Sequence, residues 1–141
     1  NHQTKFGEYL KTKFKNNPTI KFLGAIYNFE HLNNLRYFSK LYFHGHTVGG
    51  TNPSLLEAMA SNALILAHDN EFYKIFLKEN AYSFSAADVV KNLIQTNKKS
   101  NNLQLIQNNL KAIRNEFNWE KINGEYLQLF EECLSRSKKR K

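Results

Sequence analysis

The sequence predicts an α/β domain in which helices cover both faces of a parallel sheet. Short apolar segments of strand length alternate with segments whose apolar residues recur at helical spacing. The strand-like segments are mainly apolar and do not alternate with polar residues, which is typical of strands buried on both faces. The chain has 141 residues, 41% of them hydrophobic, and this suffices for the core of one domain.

The apolar pattern places each element in order along the chain. Each strand-like segment is followed by a helical one, as the crossovers of a parallel sheet require. Segment 97–102 reads as a polar linker or a helix start, and only helical spacing follows it. We expect strands at 20–23, 41–44, 63–67 and 82–84, and helices at 4–15, 30–38, 53–61, 71–77, 86–96, 103–117 and 119–133.

The start of the chain suggests that it belongs to a larger protein. It opens with a helix, whereas a doubly wound sheet ordinarily begins with a strand. We therefore expect that a first strand and further sequence precede residue 1. Residues 1–135 are expected to form one domain, and residues 136–141 a disordered basic tail.

The charge of the chain is +8 at pH 7, and much of it lies in segment 136–141. A solvated terminus, attraction to anionic lipid and contact with nucleic acid all fit such a tail. The aromatic residues argue against nucleic acid, because they fall at core spacing rather than in a basic stripe. No apolar run reaches the roughly 20 residues that span a bilayer, and no signal peptide opens the chain. We expect a cytoplasmic protein. The alternative is a protein attached peripherally to the inner face of the membrane.

Cys133 is the single cysteine of the chain. A lone thiol cannot form an internal disulfide, so cysteine usage gives no indication of secretion. Cys133 shares a helical face with Trp119, Tyr126 and Phe130. We therefore expect it to pack in the core.

A glycine-rich loop joins the second predicted strand to the next helix. Segment 44–50 holds three of the six glycines, and Asn52 and Pro53 suit the N-cap and first position of a helix. Glycines let the main chain approach a phosphate, while the helix dipole and unpaired N–H groups at Ser54 and Leu55 favour an anion. Because the Lys-Ser/Thr of a P-loop is missing, a phosphate site and a tight turn remain equal alternatives.

Glu57 lies in the second turn of this helix, inside the apolar run 55–60. A carboxylate among apolar residues needs a partner. Two vicinal hydroxyls of a ribose would satisfy it, and an exposed helical glutamate is the alternative.

The histidines do not form a metal-site pattern. His44 and His46 lie two residues apart, but a site needs a third ligand. The only aspartates are Asp69 and Asp88, and no Asp-x-Asp pair is present to hold a cation at a diphosphate. We expect neither a metal nor another cofactor. A structural role in the loop is one interpretation of His46, and Asp69 is expected to act as a turn or cap residue.

The helix start and its loop resemble a known signature. Segment 49–60, GGTNPSLLEAMA, is similar to the signature of the retaining glycosyltransferases of family four, a Glu and seven residues followed by a second Glu and Ala-Met-Ala. Segments 44–61 and 68–72 more closely resemble a bacterial rhamnosyltransferase-like group of that family. Weaker likeness at 22–27 and 119–122 extends the resemblance over nearly the whole chain.

The resemblance implies both architecture and activity. Members of the family have the GT-B architecture, two Rossmann-like domains of which the C-terminal one binds most of the donor. Residues 1–135 would then be the Rossmann-like nucleotide-sugar-binding domain, with its first strand missing. The implied reaction is glycosyl transfer from a nucleotide-diphosphate sugar to a saccharide or lipid-linked acceptor, with retention of configuration, and the more specific expectation is rhamnosyl transfer in cell-surface polysaccharide synthesis. The implied partner is an N-terminal acceptor domain, and the chain alone is expected to be inactive.

The resemblance also assigns roles to individual residues. Glu57 matches the second glutamate, which binds the ribose hydroxyls, and His46 lies near the donor sugar as the candidate catalytic residue. The first glutamate of the signature falls at Gly49, which has no side chain, so its role at the donor sugar is filled in another way here or not at all. The other matched positions are Gly49, Gly50, Thr51, Asn52, Ser54 and Leu55 at the diphosphate, Gly24, Ala25, Ile26 and Tyr27 at the nucleobase, and Asn70 and Glu71 near the sugar.

Two alternatives to a transferase remain open. Nucleotide-sugar epimerases are built on the same fold and would bind the same class of donor. A noncatalytic basic module would instead bind nucleic acid or an anionic membrane, although we expect no nucleic-acid partner. Saturable binding of a nucleoside diphosphate separates the two enzymes from the module.

Overall fold

The computed structural model of the chain describes residues 4–48, 50 and 52–138. The chain divides into two compact units, Asn1–Leu32 and Asn33–Lys141. Helix α1 (Lys5–Lys13) belongs to the first unit, and α2 (Phe29–Phe38) runs across the boundary. The sheet and all later helices belong to the second unit.

The first unit contains a capped helix and a long loop. Thr4 caps α1, because its side-chain oxygen accepts a hydrogen bond from the Gly7 amide at 3.0 Å. The predicted strand at 20–23 is wrong, since this segment has no regular secondary structure and exposes Phe22 and Leu23. A strand needs a neighbour to satisfy its backbone groups, and residues 4–32 contain none.

The second unit is built on a parallel sheet of three strands in the order β1-β2-β3. Strand β1 is Tyr42–His44, β2 is Ile65–His68 and β3 is Tyr82–Phe84. Tyr42 pairs with Ile65, and Leu66 pairs with Tyr82. The predicted α/β class and its parallel sheet are therefore confirmed, with each strand within two residues of its predicted bounds.

Helices follow each strand, as the sequence predicts. The segment expected to be a linker or helix start is a short 3₁₀ helix, Lys99–Asn102. The last helix extends three residues into the predicted basic tail, and residues 139–141 lie outside the described part of the chain. In chain order these helices are α3 (Pro53–Ala60), α4 (Glu71–Leu77), α5 (Ala87–Thr96), α6 (Leu103–Glu116) and α7 (Trp119–Lys138).

The main core lies between one face of the sheet and helices α3 and α4. Register in a parallel sheet puts paired residues on the same face, so Tyr42 shares its face with Ile65 and His44 shares it with Ala67. On the opposite face Leu66 is buried. The buried core residues are Leu55, Ala58, Met59, Ala63, Ile65, Ala67, Tyr73 and Leu77, with Ala112 and Ile113 of α6 packed against them.

Helix α7 has the predicted periodicity but not the predicted burial. Cys133 is exposed, and so are Trp119, Tyr126 and Phe130 on the same face. The expectation that Cys133 packs in the core is therefore wrong. Helical spacing identifies an apolar face, but only a neighbouring element can bury it. None of the helices within the described residues is long and apolar enough to cross a membrane.

Replacing Ile65 with alanine should lower the free energy of unfolding by about 2–5 kcal/mol, because it leaves a cavity in the core. Ile65 is fully buried in the middle strand. Urea unfolding followed by circular dichroism measures the effect. The control is Ile75→Ala on α4, where the isoleucine is 67% exposed and alanine is the better helix former. Equal losses in both variants would contradict the described core.

Candidate functional site

The glycine loop leaves the carboxyl end of β1 and leads into α3. A Cβ at Gly45 would lie 2.8 Å from the Phe43 ring, which is half exposed and would have to shift to admit a side chain there. Gly50 faces open space, because a Cβ there would have no heavy-atom neighbour within 4 Å. Gly49 and Thr51 lie outside the described residues, so their assignments at the diphosphate stay predictions.

The start of α3 is capped as the sequence predicts. The Asn52 side-chain oxygen accepts hydrogen bonds from the Ser54 amide at 3.1 Å and from the Ser54 hydroxyl at 2.8 Å. The Leu55 amide donates to the Asn52 carbonyl at 3.0 Å. The expectation of unpaired N–H groups at Ser54 and Leu55 is therefore wrong, because Asn52 takes both donors. The Leu55 side chain belongs to the core.

Backbone donors with no acceptor among the described residues lie instead in the loop before the cap. The amides of His46, Thr47, Val48 and Gly50 donate no hydrogen bond to another described residue. All four residues are exposed. An anion at this loop would meet these donors and the positive end of the α3 dipole.

Glu57 has a protein partner that the sequence did not indicate. Its Oε2 atom lies 2.7 Å from Nη2 of Arg36, whose side chain is only 5% exposed. The Glu57 side chain is 35% exposed, and its Oε1 atom accepts no hydrogen bond from any described residue. Glu57 is therefore neither fully buried nor simply a surface glutamate, and one carboxylate oxygen remains open.

Arg36 was missed although its sequence context carried a signal. It lies in a predicted helix next to Leu35 and close to Leu32 and Phe38. A charged residue that enters a core must bring a partner of opposite charge. Glu57, a negative charge inside an apolar run, was the obvious partner for Arg36. The two residues are too far apart in the sequence for local spacing to pair them.

The histidines lie at the carboxyl end of β1 in different environments. His44 is buried, and its ring centroid is 4.8 Å from those of His46 and Tyr73. Burial lowers the pKa of His44 below its ordinary value, and the nearby His46 lowers that pKa further. His46 is exposed, and its carbonyl accepts a hydrogen bond from Asn70 at 3.5 Å. This contact places Asn70 beside the main chain of His46, and the roles of both residues at a sugar stay predictions.

Asn70 and Glu71 begin α4. The Asn70 side chain is the N-cap and accepts a hydrogen bond from the Tyr73 amide at 2.9 Å. Asp69 was expected as a turn or cap residue, but Asn70 is the cap. Asp69 instead forms an ion pair with Lys74, with 3.0 Å between its Oδ1 atom and the lysine Nζ atom. The hydrogen bond from Lys74 to Asp69 is the main cause that raises the pKa of Lys74, and a second one to the exposed Glu71 adds to it.

A cavity of about 400 Å³ borders this region between α4 and the adjoining strands. Asn70 and Tyr73 are among its lining residues, whereas Glu57 is not. The Tyr73 hydroxyl is buried and has no hydrogen-bond partner among the described residues. The cavity therefore extends the candidate site on the Asn70 side, a feature that no sequence pattern indicated.

The residues expected at the nucleobase belong to the first unit. Gly24 has a φ of +70°, a conformation that favours glycine. Ala25 is exposed, Ile26 is half-buried and Tyr27 is 90% exposed. Their side chains are accessible, and their role at a base stays a prediction.

The residues that the structure describes contain no group of three His, Cys, Asp or Glu side chains able to hold a metal ion. Comparison with models of known protein families finds no match to this chain, and comparison with curated proteins finds no significant one. A parallel α/β sheet is shared by many unrelated activities. Function must therefore be argued from the chemistry of the site.

The stability of the protein should fall as the pH is lowered below about 6.5, the ordinary pKa of histidine. His44 has a lowered pKa when folded, so the unfolded chain takes up this proton first and unfolding is favoured. His44→Phe should flatten the dependence of stability on pH between about 7 and 5. Urea unfolding at several pH values measures it.

The control for this prediction is His31→Phe, which removes one histidine at an exposed position. Equal pH dependence in the wild type and the His44 variant would contradict the prediction.

Proposed function

We propose that this chain is the nucleotide-sugar-binding domain of a retaining glycosyltransferase, a Rossmann-like half of a GT-B enzyme of family four. The observation that carries the proposal is a half-exposed carboxylate, Glu57, in the second turn of a capped helix that follows a glycine loop. Open α/β sheets bind ligands at the carboxyl ends of their strands, which is where this loop begins.

The loop supplies the chemistry for the diphosphate in this proposal. Its open amides at His46, Thr47, Val48 and Gly50 are neutral donors that can follow the phosphate oxygens. The α3 dipole adds a partial positive charge at the same end. As the bond to the sugar breaks, negative charge grows on the departing diphosphate, and preorganised donors stabilise it most at that stage.

In this proposal Glu57 binds the ribose of the donor, and His46 lies at its sugar. Glu57 accepts a hydrogen bond from the ribose through its open Oε1 atom. His46 is exposed next to Asn70, which fixes the loop from the α4 side, and it faces the sugar in this proposal. The acceptor is a saccharide or lipid-linked hydroxyl brought by another domain, and rhamnosyl transfer in polysaccharide synthesis is the specific reaction that we propose.

Glu57→Gln should lower the free energy of unfolding, because it leaves the buried Arg36 charge without its carboxylate. It should also weaken binding of nucleoside diphosphates about tenfold or more, because charge-assisted hydrogen bonds to a ribose hydroxyl are lost. Binding of pyrophosphate, which has no ribose, should change little. Calorimetric titration of UDP, GDP, dTDP and pyrophosphate measures both effects. Melting curves verify folding.

The matched control is Glu131→Gln, which removes the same charge from an exposed position on α7. It should leave every affinity unchanged. If Glu57→Gln keeps nucleotide affinity within about twofold, under roughly 0.4 kcal/mol, the assignment of Glu57 to the ribose is wrong.

Nucleotide binding should not need a divalent cation. The sequence has no Asp-x-Asp pair, and the loop offers amide donors to a diphosphate but no carboxylate to hold a bridging cation. Titration of UDP, GDP and dTDP in excess EDTA should give the affinities measured with magnesium, within about twofold. Binding that EDTA abolishes and magnesium or manganese restores would contradict this and make His44 and His46 candidate ligands.

A further inference from the structure

The Arg36 guanidinium is the most deeply buried positive charge among the described residues. Its side chain is 5% exposed, and it approaches Glu57 with 2.7 Å between Nη2 and Oε2. Such a short contact between buried and partly exposed charges is a charge-assisted hydrogen bond. Removing either charge would leave the other uncompensated, so the two side chains hold each other in place.

The guanidinium is fixed on its other side as well. Arg36 Nη1 donates to the Asn33 side-chain oxygen at 3.2 Å. The Ser61 hydroxyl donates its single proton to the Glu57 carbonyl at 2.6 Å, and its oxygen lies 3.1 Å from the same Asn33 oxygen. The Tyr42 ring centroid lies 5.9 Å from the guanidinium carbon, within the range of a cation–π contact. Arg36 is thus held by α2, β1 and α3.

This support gives the two oxygens of Glu57 different tasks. Oε2 is tethered to a fixed, buried donor, while Oε1 remains open to a ligand. A carboxylate tethered at one oxygen loses most of its freedom to rotate. The open oxygen is therefore presented in one orientation before a ligand arrives, which lowers the entropy that binding costs.

We infer that Arg36 is a positioning residue for the nucleotide site: it locks one oxygen of Glu57 and presents the other to a single hydroxyl of the nucleoside sugar. This inference rests on the proposed function. It assigns no direct contact between Arg36 and the ligand, and it explains why a basic residue is buried behind a carboxylate that faces solvent.

A purely structural tie between α2 and α3 predicts a different result. Loss of such a tie lowers stability and weakens all ligands of the loop alike, whether or not they carry a sugar. Loss of a positioning residue weakens only the part of the affinity that depends on the ribose. The ratio of the pyrophosphate dissociation constant to that of a nucleoside diphosphate separates the two roles.

The experiment is calorimetric titration of the full chain with pyrophosphate and with the tightest binder among UDP, GDP and dTDP. Arg36→Met should weaken the nucleotide about five- to tenfold while pyrophosphate affinity stays within about twofold. Arg36→Lys keeps the charge but not the planar donor geometry. It should therefore weaken the nucleotide by about half as much as Arg36→Met on a logarithmic scale. Arg114→Met, at an exposed position on α6, removes the same charge and should change neither affinity.

A double-mutant cycle tests whether Arg36 acts through Glu57. In the Glu57→Gln background, Arg36→Met should cause no further loss of nucleotide affinity. A further loss equal to that in the wild type would overturn the inference, because Arg36 would then act independently. Melting curves are recorded for every variant, and if Arg36→Met does not fold, the ratio measured for Arg36→Lys decides.

The outcomes also separate this inference from the proposed function. If the wild type binds nucleoside diphosphate and Glu57→Gln weakens it, but the ratio is unchanged in the folded Arg36 variants, the inference is overturned and the proposed function stands. If the wild type binds none of the three nucleotides, both are overturned. A ratio that falls in the Arg36 variants and not in Arg114→Met supports the positioning role.

Discussion

The pairing of Arg36 with Glu57 is the interaction on which the candidate site depends. Desolvating a guanidinium is costly, so its burial is tolerated only where a carboxylate and a further acceptor meet it. Glu57 and Asn33 provide these at 2.7 and 3.2 Å. The pair ties α2 to α3, and thereby fixes the orientation of the Glu57 carboxylate.

The core gives this pair its rigid base. Leu55 and Met59 of α3 are buried against Ile65 of the middle strand, so the helix carrying Glu57 cannot shift without opening the core. The cap at Asn52 then sets where α3 begins and where the loop ends. Binding geometry held by packed elements is more reproducible than geometry held by a loop alone. The rigid part of this site is therefore the helix, and the adaptable part is the glycine loop with His46.

Some expectations failed for reasons that can be traced to particular residues. Segment 20–23 has strand composition but no pairing partner within its unit, so it remains irregular. Cys133 lies on an apolar face of α7 that stays exposed. The amides of Ser54 and Leu55 were expected to be free, yet both donate hydrogen bonds to Asn52, the residue that was recognised as the cap. The first two expectations failed because no element among the described residues lies opposite to pair with or cover the segment. The third failed locally, because the donors that the Asn52 cap would engage were not taken into account.

The sequence by itself determined the alternation of strands and helices, the three described strands, and the caps and glycines of the loop. These features depend on neighbours a few residues apart, whose propensities and hydrogen bonds act within one element. Only the tertiary structure decided that Glu57 faces Arg36, that His44 is buried against Tyr73, and that a cavity borders Asn70. The two contacts join residues that are 21 and 29 positions apart in different elements, and no rule of local spacing links such residues before the chain has folded.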